Sequence, residues 1–336
     1  MKSELYGNHD GNNLAFFIQS DIKWNRLTFS LGGRIEHFKT DNVTEKFTPV
    51  VRAGLNYHVL KETYIRGSFG QGYRFPAIAE RFIHTSVSGL YIYPNDSLKS
   101  EKGFSSEIGI MQGIKIGNWR GYFDAAAFLT EYKIMIEFTF GQWGLPSDPL
   151  IGLGFKAFNT GDTRIRGIDL SVAGTGMIGR FNITVLAGYT YMEPEQTRFD
   201  SVYIEKAIVF TGKAYLGSDS SNFLKYRFNH LLKADVEIGY RKYSIGLGMR
   251  YNSFMKNIDK LFVDPILGAL VAPGVAHYRD SHKTGDFVFD ARVAVQFTPN
   301  FKCSFICKNV FNYIFMQRPA DMQPPRMFVL QLGFNY

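Results

Sequence analysis

The sequence predicts an antiparallel transmembrane β-barrel, on three observations. Apolar and polar residues alternate through thirteen strand-like stretches. The connections between those stretches alternate between short and long. The chain also runs out on a strip of Phe328, Leu330, Leu332, Phe334 and Tyr336, with mostly small or polar residues between them. Successive side chains point to opposite faces of a strand, so this segment carries one face suited to lipid.

Composition narrows the class. The 336 residues are 45% hydrophobic, with a mean hydropathy of −0.12. No run of about 18 apolar residues exists, which excludes a transmembrane helix. A barrel escapes that requirement because only alternate residues meet lipid. The 19 Tyr and 31 Phe can supply aromatic girdles, and the 33 Gly suit crowded interiors and tight turns. The net charge of +8 is spread singly along the strands rather than gathered in a patch, which argues against a nucleic-acid partner. Cys303 and Cys307 sit four apart on one strand, roughly 13 Å from one another, too far for a disulfide. No metal or cofactor site is expected from them.

The strands follow in order. Leu14, Phe16, Ile18, Ile22 and Trp24 alternate with Phe17, Gln19, Asp21 and Lys23. Leu27, Phe29, Leu31 and Ile35 alternate with Thr28, Ser30, Arg34 and Glu36. The same pattern recurs from Phe181 to Tyr191, Leu232 to Tyr240, Tyr243 to Tyr251 and Phe287 to Phe297. A soluble antiparallel sheet would give this code too, so the connections decide. Short turns are read near Trp24–Arg26, Leu60–Glu62, Gly117–Trp119, Ile178–Arg180, Arg241–Lys242 and Thr298–Asn300. Long loops are read near Lys39–Lys46, Pro76–Ser100, Gly141–Phe155, Glu193–Phe228, Ser253–Gly285 and Met316–Arg326. Antiparallel neighbours then place all short turns at one end and all long loops at the other. Outer-membrane barrels have this asymmetry, with short periplasmic turns and long extracellular loops. The strands, roughly 10 to 16 residues each, exceed the span needed to cross tilted. An odd strand count and an N-terminus without a signal-peptide pattern lead to the expectation that this is the C-terminal portion of a larger barrel.

Four stretches carry a family resemblance. The first runs Gly67-Ser68-Phe69-Gly70-Gln71-Gly72-Tyr73-Arg74-Phe75-Pro76, then Glu80, then Asn95, Leu98 and Glu101, with Glu107-Ile108-Gly109 beyond. The second is Asn159-Thr160-Gly161 through Arg166-Gly167-Ile168-Asp169-Leu170. The third is Leu224-Lys225-Tyr226-Arg227-Phe228-Asn229-His230, and the fourth Lys308-Asn309-Val310-Phe311-Asn312-Tyr313 with Arg318-Pro319 and Pro324-Pro325-Arg326. In order and spacing they resemble the barrel of TonB-dependent outer-membrane receptors. The third departs from the family, which often has Pro in place of Phe228. The resemblance implies a 22-stranded barrel in a Gram-negative outer membrane, closed by an N-terminal plug that this chain lacks. It implies uptake of a scarce nutrient (a ferric siderophore, haem, cobalamin or another metal chelate) driven by the TonB complex through that plug. It also implies recognition of the last strand by the barrel-assembly machinery.

Candidate residues follow. Arg74, Pro76 and Glu80 read chiefly as structure, with Pro76 ending strand pairing and Arg74 bonding Glu80 or Glu101. Asn309 and Asn312 read as turn residues. Ligand contacts are expected from the long loops: Tyr91, Tyr93, Trp143, Tyr203, His277, Tyr278 and His282, since aromatic faces suit chelates and haem. No Gly-x-Ser-x-Gly, His-Glu-x-x-His or phosphate-binding loop is present, so an enzyme is not expected. A passive porin or adhesin-like barrel and a rim hydrolase using His37 and Asp41 are the alternatives. His58 lies at the wrong end for the latter.

Overall fold

The computed structural model describes residues 2–3, 5–87, 90–207 and 216–335. Thirteen strands form one antiparallel meander, each pairing with the next in sequence. They are β1 Gly11–Trp24, β2 Leu27–Thr40, β3 Val43–Leu60, β4 Thr63–Arg74, β5 Glu101–Ile116, β6 Trp119–Gln142 and β7 Leu153–Ile178. The remainder are β8 Phe181–Phe199, β9 His230–Tyr240, β10 Tyr243–Asn252, β11 Asp286–Thr298, β12 Phe301–Lys308 and β13 Met327–Phe334. Among the described residues β1 pairs only with β2, and β13 only with β12, so both outer edges are open. Tyr336 lies outside the described residues.

The two faces are those of the alternating code. Leu14, Ile18, Ile108, Phe181, Ile245 and Leu330 stand exposed on one face, where lipid would cover them. The opposite face carries ion pairs laid across strands. Arg66 on β4 reaches Asp124 on β6 with Nη2 to Oδ1 at 2.9 Å, and Glu107 on β5 at 3.0 Å. Arg292 on β11 mirrors it, with two bonds of 2.6 and 2.7 Å to Asp235 on β9 and one of 2.9 Å to Glu237. Each guanidinium lies over a glycine of the intervening strand, Gly109 or Gly246. Any side chain there would displace it, so each glycine is what lets one arginine tie three strands together.

Six tight turns join strands at one end, with Asn25, Gly117, Gly179 and Arg241 in the left-handed region their turns require. At the other end one expectation fails. The connection read as a long loop over Lys39–Lys46 is only the pair Asp41–Asn42, because β2 runs on to Thr40 and β3 begins at Val43. The other five connections at that end are long. Strand lengths are also broader than expected, from 8 residues in β12 and β13 to 26 in β7.

A single curved wall has no interior of its own. The dry core sits instead among the loops above it. Leu90, Phe140, Leu153 and Leu261 form one buried cluster, with Phe155, Leu267 and Val271 packed on it, and Leu98, Ile136 and Ala157 form a second.

Candidate functional site

The site is built on the β6–β7 hairpin, which outruns its neighbours. β5 leaves β6 at the pair Lys133–Lys102, and β8 leaves β7 at Gly161–Phe199. Past that level Met135–Gln142 pairs only with the facing part of β7, and the ladder breaks at Tyr132–Ile136. Ile134 there has φ of 50°, a conformation that a β-branched residue rarely adopts. Its neighbours hold it. Asp162 accepts the Ile134 amide at 3.1 Å, Asn159 donates to the Ile134 carbonyl at 2.8 Å, and Glu101 accepts the Ile136 amide. Arg74 in turn binds Glu101 at 2.6 Å and Glu80 at 2.7 Å.

The loop after β4 is clasped onto the same hairpin. Pro76 is buried at its start, and α1 (Ile78–Phe82) follows. Asn95 donates to the Ala157 carbonyl at 2.8 Å. Asn159 and Lys99 exchange two bonds, at 2.9 and 3.0 Å. Leu98 is 2% exposed, against Ile136 and Ala157. Residues Leu90–Tyr93 then add a short parallel strand along Gly154–Lys156 of β7. The Asn95-x-x-Leu98-x-x-Glu101 spacing thus puts an amide, an apolar side chain and a carboxylate on one bulge.

The two longest loops form the roof as one unit. Between residues 217–226 and 255–259, Ser218 donates its amide to the Ile258 carbonyl at 2.8 Å, Tyr226 to that of Asn257 at 2.9 Å, and Asn257 Nδ2 to that of Phe223 at 2.6 Å. Lys225 and Asp259, both buried, pair at 2.6 Å, with the Tyr226 hydroxyl donating to the other Asp259 oxygen. Burial alone would depress the Lys225 ammonium, but the Asp259 carboxylate overrides it and holds the group above the ordinary lysine range. Burial, then Asp259, raise the Tyr226 phenol well above its usual value.

Two cavities meet below this roof. One, of about 860 Å³, lies against the polar face of β1–β7, lined by Ser30, Arg52, Ser68, Ser105 and Thr130 among others. The other, of about 660 Å³, lies under the roof. Its walls are largely apolar, with Leu90, Ile92, Phe138, Phe155, Phe262 and Pro319, and its charged groups are Glu80, Glu137, Arg227 and Arg318. Ile136 and Arg227 line both cavities. A vestibule of this volume and character suits a compact ligand with an apolar body.

The residues expected to touch ligand are dispersed, and none lines the 660 Å³ cavity. Tyr203, on α2 (Ser201–Ala207), is 2% exposed and its hydroxyl takes a bond from Lys225 at 3.3 Å. Trp143 donates to Thr139 at 3.2 Å and stacks on Phe158. Tyr91 and Tyr93 pack against each other, and the buried Tyr93 hydroxyl has no hydrogen-bond partner among the described residues. His277 is exposed on the short helix Val275–Ser281. Tyr278 donates to Asp286 at 3.1 Å and stacks on His282, whose Nδ1 lies 2.9 Å from the Tyr278 carbonyl. At the last loop Asn309 and Asn312 both have positive φ. Asn309 exchanges two 2.8 Å bonds with Tyr313, and Asn312 accepts the Arg326 amide at 2.9 Å. His37 and Asp41 do not meet. His37 stacks on Phe47, and Asp41 pairs with His9 at 2.7 Å. Sequence reasoning missed Glu137, Phe138, Phe155, Phe262 and Arg318. The available signal was alternation continuing past the membrane span in β6, which leaves an apolar face that something must cover.

The family model for the TonB-dependent receptor-like β-barrel matches residues 3–310. The chain belongs to this family. The haemoglobin-haptoglobin utilization protein B of Neisseria meningitidis serogroup C is 25% identical over 150 residues, covering 42% of this chain and 18% of that protein. The ferric-catecholate import receptor Fiu of Escherichia coli K12 superposes with a TM-score of 0.63 at 18% identity, covering 98% of this chain and 45% of that one. The Serratia marcescens hemophore receptor HasR, solved with its hemophore and haem, gives 0.65 at 14% identity, covering 99% and 52%. The chain therefore spans about half the length of the solved receptors, and those likenesses are of fold.

Proposed function

We propose that this chain is the C-terminal portion of an outer-membrane receptor that takes up a scarce nutrient, a ferric siderophore, haem, cobalamin or similar, with energy from TonB. The observation that carries the reading is the pair of cavities. A vestibule roofed by long loops opens at Arg227 onto a polar lumen wall, the route a captured ligand would follow inward. Membership of a family of transporters and receptors supports binding and passage rather than covalent chemistry. In this reading lipid covers the apolar strand face, the barrel-assembly machinery reads β13, and coupling to TonB runs through a plug and further strands of a longer protein. Growth of the source bacterium under iron limitation, with and without the intact gene, tests it. Slower growth of the deletion strain, restored by the gene, is expected. Unchanged growth on every iron source would count against iron uptake.

A further inference from the structure

Arg227 occupies the neck between the two cavities in an unsettled state. Among the described residues its one ionic contact is with Glu137, at 3.9 Å, longer than a hydrogen bond. Its Nη1 makes only stretched bonds, 3.4 and 3.3 Å, to the carbonyls of Lys225 and Tyr226 in its own segment. Glu137 is the better-buried partner, its side chain 11% exposed against 32% for Arg227. The preceding residue, Tyr226, has φ of 60°, a conformation costly for an aromatic residue and kept only where the surroundings impose it. Here the Lys225–Asp259 pair and the Tyr226–Asp259 bond impose it from the roof side. Arg227 is thus aimed at the neck while its donors stay largely unspent.

Across the same cavity the Arg318 side chain makes no hydrogen bond or ion pair with the described residues, although Asp321 is near in sequence. Two under-used guanidinium groups beside an apolar lining suit one class of occupant, an apolar body bearing an anionic group.

We propose that Arg227 is the residue by which the vestibule selects such ligands, and that the ligand's anion replaces Glu137 as its partner. This rests on the uptake reading above and names the ligand chemistry within it. A charge-assisted bond to a buried anion contributes enough for roughly a tenfold change in affinity.

The test uses the full-length receptor in detergent and two fluorescent probes, anilinonaphthalene sulfonate and phenylnaphthylamine. They share one aromatic body and differ by the sulfonate. Protein-free micelles serve as the blank, and heat-modifiable migration on gels verifies folding of each variant. Wild type should bind the sulfonate, and Arg227→Gln should weaken it about tenfold while leaving the uncharged probe unchanged. Arg227→Lys should recover part of the loss, and Glu137→Gln should tighten the sulfonate. Equal binding of the sulfonate by wild type and Arg227→Gln would overturn the proposal. So would equal loss of both probes, which would make Arg227 a shaping residue only, or no binding of either. A receptor that sustains iron-limited growth yet ignores the sulfonate would sink this inference and leave the uptake reading standing.

Discussion

Lys225 and Asp259 show what one buried pair does for a loop. Lys225 reaches its carboxylate across 34 residues of sequence, with side chains 6% and 0% exposed. Removing one member strands a charge away from water, at a cost of about 3–5 kcal/mol, whereas apolar replacement of both costs far less. Asp259→Ala should therefore free the 217–226 segment for hydrogen exchange, and Lys225→Met with Asp259→Leu should restore much of the protection. Equal exposure in both variants would mean that the neighbouring backbone bonds hold the roof instead. A second residue-scale device lies at the opposite end. Trp119 is 6% exposed because its ring rests on Gly121 and Gly174, where a Cβ would overlap it. Gly174→Ala should destabilise the wall by about 1–3 kcal/mol, read as a lower temperature of heat-modified migration. Adding Trp119→Ala should relieve part of that loss. The carboxylate pairing and the glycine cradle were illegible in the sequence, since both depend on residues joined only by register. Tyr203 shows the converse: as a loop aromatic it reads like a ligand contact, yet its ring fills the roof's interior.

At the scale of elements, strands in the membrane were legible because one face meets lipid and the other does not, which imprints period two. The hairpin at Thr40–Val43 was not legible. From Thr40 to Lys46 only Val43 is apolar, so no period-two pattern marks the two strands that meet there. The Asn95, Leu98 and Glu101 spacing was visible as a motif, but its purpose was not, because the bulge it serves lies some 35 residues away at Ile134–Ile136. Glu101 takes both Arg74 and the Ile136 amide. Glu101→Gln keeps the shape and surrenders the charge, so it should loosen the overhanging hairpin by about 1–3 kcal/mol. Faster exchange confined to 134–140 and 95–99 would show this, and unchanged exchange would refute it. The roof also has a pH dependence of definite sign. Lys225 and Tyr226 both hold their protons more tightly folded than unfolded. Their stabilisation is complete below about pH 10 and is lost as pH rises through their folded values. Cleavage of 217–226 by an alkali-tolerant protease should stay flat from neutrality to about pH 10 and climb above it.

For the whole molecule the decisive quantity is the number of edges. Thirteen strands pair in one meander, and among the described residues β1 and β13 each present an unpaired ladder. In hydrocarbon every exposed amide and carbonyl costs several kcal/mol, so only a closed barrel persists there. The odd strand count read in the sequence led to the expectation of an open edge, although no residue on either edge strand reveals its partner. Exported by an appended signal peptide, this chain alone should fail to form a heat-modifiable, protease-resistant species in the outer membrane. In the larger barrel proposed above, further strands would pair with β1 and β13, and that longer protein should form one. The ion-paired arginines sharpen the expectation, because Arg66 and Arg292 tie β4–β6 and β9–β11 but neither reaches an edge. They can hold the wall's curvature without closing it. A resistant, heat-modifiable species from this chain alone would show that β1 and β13 find each other, and the reading of a larger barrel would fall.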